Sequence, residues 1–173
     1  SSFCGRASAR LLPTAVGGNT VRERLCRRFA ALSFSLPVII HPTAVIAPDV
    51  EIGAGSVIFA QAVIQPCCRI GDGAIVNTAA TVDHDCILGG FVHISPGAHL
   101  AGGTQIGGGS WIGIGACTRQ QIKIGANVIV GAGAAVVSDV SDGLTVVGNP
   151  AKPLIRPSEN ALATKSEQAD GQK

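Results

Sequence analysis

The 173-residue sequence has no methionine and no tyrosine, only one tryptophan and five phenylalanines. So few large side chains exclude an ordinary globular core. They suit a narrow one filled by Val, Ile, Leu and Ala. A dominant charge is missing too: 13 Lys and Arg against 11 Asp and Glu leave a net +2. That balance argues against an electrostatic nucleic-acid surface. No apolar run approaches the roughly 20 residues of a membrane span. The six cysteines include no C-x-x-C pair, and adjacent Cys67 and Cys68 would point to opposite sides of a strand. This argues against a disulfide framework or a zinc site, and for small buried or half-exposed thiols in a reducing compartment. Acids are scarce near the start, where Arg6, Arg10, Arg22, Arg24, Arg27 and Arg28 face Glu23 alone. That composition is similar to an organelle transit peptide. With Ser1 first and no Met, the natural start is expected to be missing or processed.

What the sequence has in excess is glycine, 23 residues, and a repeat. Stepping by six from Ile40 to Val136 meets seventeen residues, all branched aliphatics except Thr118, with no insertion. Four residues after each of these stands a mostly small one, such as Ala62, Cys68, Ala74 or Ala80. Seven hexads place glycine directly after the aliphatic, at Gly53, Gly71, Gly89, Gly107, Gly113, Gly125 and Gly131. Each hexad therefore predicts a short strand and a corner, and three hexads a triangular coil. The aliphatic points inward, the small residue fills the corner, and glycine supplies the backbone conformation a corner demands. Coils stacked at about 4.7 Å give an all-β parallel prism on the order of 27 Å long.

A prism of this kind leaves both ends open and needs caps. Residues 1–39 form an N-terminal segment with a short helix expected near 20–34. In it Val21, Leu25, Phe29 and Leu32 fall near one face, Asn19 or Thr20 caps the start, and Pro37 ends it. The repeat proper covers 40–141. Residues 142–156 leave the hexad register as a closing segment, and the polar residues 157–173 are expected to be a disordered tail.

Chemistry concentrates in Asn77–His99, which holds Asp83, His84, Asp85, His93 and His99. His84 should point outward near a corner. One coil of eighteen residues onward from it is Gly102, which leaves room for a ligand and a backbone N–H. One coil on from His93 is Trp111. An outward histidine between two aspartates is a reasonable general base, because a carboxylate fixes the tautomer and raises basicity. A solvated surface histidine with incidental acids is the equal alternative. The histidine gaps of nine and six do not fit the zinc spacing of β-helical carbonic anhydrases, so no metal ligand is assigned.

These residues carry a resemblance. Residues 40–154 resemble hexapeptide-repeat acyltransferases, whose prism is a left-handed parallel β-helix. VNTAATVDHDCILGGFVHISPGAHLAGG closely resembles the sialic acid O-acetyltransferase and UDP-4-amino-sugar N-acetyltransferase family. GNPAKPL, residues 148–154, is similar to the closing segment of acetyl-CoA-dependent members. AVGGNTVRERL, residues 15–25, looks like the end of that family's N-terminal domain, against the transit-peptide reading.

The resemblance implies a cytoplasmic acetyltransferase that moves acetyl from acetyl-CoA to an amino or hydroxyl group of a sugar, nucleotide-linked. His84 would be the general base and Asp85 its support. Asn77 and His93 would line the site, and the Gly102 N–H would stabilise the oxyanion. The pantetheine arm would pass Ile114 and Ala132. The resemblance further implies a homotrimer with sites between subunits, no metal in the chemistry, and no nucleic-acid or membrane partner. One departure is that residues 1–14 contain no strand followed by the Gly-rich turn that would hold a sugar nucleotide. A catalytically silent β-helix scaffold is the alternative that this departure keeps open, with a zinc hydratase behind it.

Overall fold

The structure, a computed structural model, describes residues 16–155. The transit-peptide composition, the missing Gly-rich turn in 1–14 and the tail at 157–173 fall largely or wholly outside them.

Two-residue strands recur every sixth residue from Ile39–Ile40 to Ala135–Val136. Each pairs in parallel with the strand one coil on: Ile39↔Val57, Val45↔Val63, Glu51↔Arg69. The outcome is a left-handed parallel β-helix of about 6 turns with three faces. The first face has eight strands and starts at Ile39–Ile40. The second has six, from Val45–Ile46 to Ala135–Val136. The third has five, from Glu51–Ile52 to Lys123–Ile124.

The hexad explains the core. Inward aliphatics such as Ile58, Val76, Ile94, Ile112 and Val130 stack coil upon coil and are fully buried, as are the corner residues Ala62, Cys68, Ala74, Ala80 and Cys86. Each such aliphatic contributes about 1.5–3 kcal/mol by leaving water.

The glycines that follow the aliphatics act differently from the expectation. None of the seven has a positive φ. The left-handed positions lie two residues further on, at Gly55, Gly73 and Gly109, and also at Gln61, Cys67, Asp85 and Asn127. Gly71 is required by close approach instead: a Cβ there would lie 2.6 Å from the Gly90 nitrogen of the next coil.

Helix α1 spans Asn19–Ala31, ending before the expected boundary and well short of Pro37. Neither Asn19 nor Thr20 caps it. Gly18 is the N-cap, without a side-chain bond, and Asn19 Nδ2 donates instead to the Gly109 carbonyl at 2.8 Å. The buried residues of the helix are Arg22 and Cys26, while Val21 and Leu32 are exposed. The apolar stripe read from the sequence is therefore offset from the face that docks. The helix sits against the first face, where outward Val57 and Ile75 are nevertheless buried. At the other end Thr145–Val147 extends the first face in parallel with Ile129–Val130, and Lys152–Pro153 folds back antiparallel onto it.

Candidate active site

His84 occupies the corner between Thr81–Val82 of the second face and Ile87–Leu88 of the third. Its backbone N–H donates to Asp83 Oδ1 at 2.8 Å, a local bond of the kind that favours turns. Asp85 follows in the left-handed region, with φ 60°. Its N–H donates to the Pro66 carbonyl of the preceding coil at 3.1 Å. So held, Asp85 Oδ2 lies 2.7 Å from His84 Nδ1. A carboxylate only accepts, so Nδ1 carries the proton and Nε2 presents a lone pair. The Asp85 hydrogen bond, and next the Asp83 charge, push the imidazole above its ordinary pKa. The side chain is 61 % exposed, hence open to a reactant.

Gly102 lies beneath the ring. A Cβ there would stand 2.7 Å from both Cε1 and Nε2 of His84, so only glycine leaves the ring its place. Gly102 is buried, and its N–H meets no acceptor among the described residues. A cleft of about 580 Å³ opens here, with Asp83, Gln120 and Gln121 completing its walls.

A second cluster sits on the first face. His93 is 6 % exposed and stacks on Trp111 with ring centroids 4.8 Å apart, in register across adjacent strands. Trp111 Nε1 donates to Ser95 Oγ at 2.7 Å. His93 Nδ1 lies 3.3 Å from the Gly17 carbonyl and Nε2 lies 3.2 Å from Asn77 Nδ2. A carbonyl accepts and an amide nitrogen donates, which makes this the Nδ1–H tautomer with Nε2 accepting. Burial lowers the His93 pKa; the Gly17 bond opposes this and the Arg22 charge adds to it.

Arg22 is the residue the sequence reading missed. It is wholly buried, and its guanidinium donates to the carbonyls of Gly73 (2.6 Å), Val16 (2.8 Å) and Phe91 (2.8 Å) and to Asn19 Oδ1 (2.9 Å). It also reaches the Gly17 carbonyl, the acceptor of His93, at 3.2 Å. Burial brings its pKa down to about 10. One signal was available: Arg22 and Cys26 stand four apart, a spacing that puts both on one helical face.

Asn77, Ile114 and Ala132 follow strands of the first face and line the edge between the first and second faces. Gly97, Gly115 and Gly133 run up the same edge with open space around them, leaving a smooth shelf. The chain thus brings His84, Asp85 and Gly102 together. It puts Asn77 and His93, with Ile114 and Ala132 further along, on a different edge across the second face. His99 belongs to neither; its Nδ1 lies 2.9 Å from Thr81 Oγ1 on the second face. His41 pairs with Thr43 Oγ1 at 2.9 Å. Among the described residues, no group of three or more His, Cys, Asp or Glu could hold a metal ion, and no helix is long and apolar enough to cross a membrane.

No family model and no curated protein matches the chain. Solved structures do. The acetyltransferase domain of PglB from Neisseria gonorrhoeae, seen also in complex with acetyl coenzyme A, is 59% identical with a TM-score of 0.80. The match covers 81% of this chain and 68% of that one. PerB from Caulobacter crescentus, in complex with CoA and GDP-perosamine, is 43% identical with a TM-score of 0.83, covering 84% and 70%. WeeI from Acinetobacter baumannii is 33% identical with a TM-score of 0.83, covering 87% and 74%.

Proposed function

The chain belongs to the hexapeptide-repeat sugar acetyltransferases, and from that premise we propose that it transfers acetyl from acetyl-CoA to the amino group of a nucleotide-linked amino sugar in the cytoplasm. The observation that carries the reading is the 2.7 Å bond between His84 Nδ1 and Asp85 Oδ2, with Nε2 bare above Gly102 in an open cleft. The amine is favoured over a hydroxyl by one relative, a perosamine N-acetyltransferase that binds GDP-perosamine; the PglB domain supports the donor, acetyl coenzyme A.

The residues fit an extended thioester arm. Ile114, 62 % exposed, and the open glycines beside it make an apolar, unobstructed edge. Acetyl-CoA supplies an activated acyl carbonyl. The amine nitrogen attacks that carbonyl while His84 Nε2 takes its proton and Asp85 stabilises the imidazolium. The C–S bond then breaks, and the departing CoA sulfur takes the proton from His84 to leave as the thiol. The Gly102 N–H donates to the carbonyl oxygen as charge develops there. Asn77 and His93 hold the acetyl end, and burial, helped by the Arg22 charge, favours the neutral form of His93.

His84 and the Asn77–His93 pair lie on different edges. A site using both needs two protomers, each giving one edge, and this supports a homotrimer. The second face suits such contact: Val45, Thr81, His99 and Cys117 leave it without formal charge. The test is turnover with acetyl-CoA and GDP-perosamine as probe acceptor, with mass in solution alongside. Parent turnover by a trimer, and loss of about 10²–10⁴-fold in His84→Ala with acetyl-CoA binding kept, is the expected result. A folded His84→Ala that turns over like the parent removes His84 from the chemistry.

A further inference from the structure

Thr118 is the one non-aliphatic among the seventeen inward positions, and it alters the ladder beside the site. In regular coils the N–H after the inward residue donates to the backbone carbonyl of the next coil, as Asp83 does to Leu100 and Gly107 to Ile124. Ala101 departs from this. Its N–H donates to Thr118 Oγ1 at 2.9 Å, and the pairing His99↔Cys117 is not continued to Leu100 and Thr118.

The Thr118 hydroxyl lies 3.1 Å from Thr104 Oγ1, and Thr104 Oγ1 donates to the Ala101 carbonyl at 2.6 Å. Each hydroxyl has one proton. Thr104 spends its proton on Ala101, so Thr118 is the donor to Thr104. The bonds close a ring: Ala101 N–H to Thr118, Thr118 to Thr104, Thr104 to Ala101 C=O. Cys86 Sγ adds a second contact to the same carbonyl at 3.4 Å.

The Ala101 carbonyl shares its peptide plane with the Gly102 N–H. In a trans peptide the two point opposite ways. Thr104 and Cys86 are fully buried, so a carbonyl pulled toward them turns the Gly102 N–H outward, under the His84 ring. A bond to the carbonyl also polarises the amide and strengthens its N–H as a donor.

We propose that Thr104 and Thr118 are positioning residues, whose hydroxyl pair fixes the Ala101–Gly102 peptide plane and so aims the Gly102 N–H at the carbonyl oxygen of the acyl donor. This rests on the acetyltransferase reading above. Neither threonine touches a reactant.

The test uses the full chain with two near-isosteric variants, Thr118→Val and Thr104→Val, and the hydroxyl-restoring Thr118→Ser. The first readout is the Gly102 amide resonance of ¹⁵N-labelled protein on addition of acetyl-CoA. The second is turnover with GDP-perosamine. The parent and Thr118→Ser should shift the Gly102 resonance; the valine variants should lose that shift. Their kcat should fall about tenfold or more, up to the roughly 10²–10³-fold that outright loss of an oxyanion donor costs, at little-changed acetyl-CoA KM. Thr118→Val can restore the regular ladder bond of Ala101 and should hold its melting temperature, whereas Thr104→Val leaves the Thr118 hydroxyl without its acceptor and should melt lower. A merely structural threonine predicts unchanged kcat. Valine variants that keep both the shift and the kcat overturn the proposal. If one variant fails to fold, the other decides. His84→Ala separates the two readings: an active His84→Ala defeats the acetyltransferase mechanism, whereas an inert one beside fully active valine variants defeats only the threonine pair.

Discussion

Arg22 Nη2 donates to the Phe91 carbonyl at 2.8 Å, tying helix α1 to the coil two residues before His93. Among the described residues its other partners are carbonyls and one amide oxygen, with no carboxylate. Removing the guanidinium would leave several buried acceptors unpaired, at about 1–3 kcal/mol each where water cannot replace it. Arg22→Met should therefore lower the urea midpoint by an amount worth about 3 kcal/mol or more, with the slope unchanged. The same variant removes a charge that opposes protonation of His93, so the His93 ring should titrate at higher pH in NMR. An unchanged urea midpoint would mean that the buried guanidinium contributes nothing net.

The pH dependence of the rate follows from His84. The base must be neutral to accept a proton, so kcat/KM should fall as pH drops through the His84 pKa. The Asp85 bond and the Asp83 charge raise that pKa. The acid limb of the parent should therefore lie above the free-histidine value of about 6.5. Asp85→Asn removes the larger cause, and the limb should move to lower pH while the maximal rate drops. A limb that stays in place would show that another group titrates.

The core was legible because a six-residue period states which side chain points inward at every step, and Ile58 to Val136 obey it. The pairing of His84 with Gly102 and of His93 with Trp111 was legible for the same reason, since one coil is eighteen residues. Three features were not. The glycines after the aliphatics looked like turn residues, but Gly71 is forced by the nearness of Gly90 in the next coil, a contact between chains of residues that no local pattern describes. Helix α1 was legible as a helix, yet its docked side is set by Arg22 reaching carbonyls 51 and 69 residues away. The separation of His84 from Asn77 and His93 was hidden because the segment that holds them is continuous in sequence while it turns three corners in space.

Gly102→Ala tests the close packing of the His84 corner. Its φ is not positive, so alanine is tolerated by the backbone there. The new Cβ would meet the far edge of the His84 ring, which is exposed and can swing away. Stability should stay within about 1 kcal/mol of the parent while turnover falls by about tenfold or more. Circular dichroism melts and steady-state rates on one preparation check both halves. A variant as active as the parent would mean that the ring need not sit over Gly102.

Shared sites make a sharper demand on the assembly. If one protomer gives His84 and its neighbour gives Asn77 and His93, His84→Ala and His93→Ala are each inactive alone as homotrimers. Unfolded together in equal amounts and refolded, they form mixed trimers. In those, some interfaces pair the intact His84 edge of one variant with the intact His93 edge of the other. Random assembly makes such interfaces about a quarter of the total, so mixing should restore about a quarter of parent activity. Sites complete within one chain predict no recovery at any mixing ratio, because every chain carries one lesion. Asp85→Ala mixed with His84→Ala lesions the same edge in every protomer and should stay silent, which would show that the recovery comes from sharing between edges.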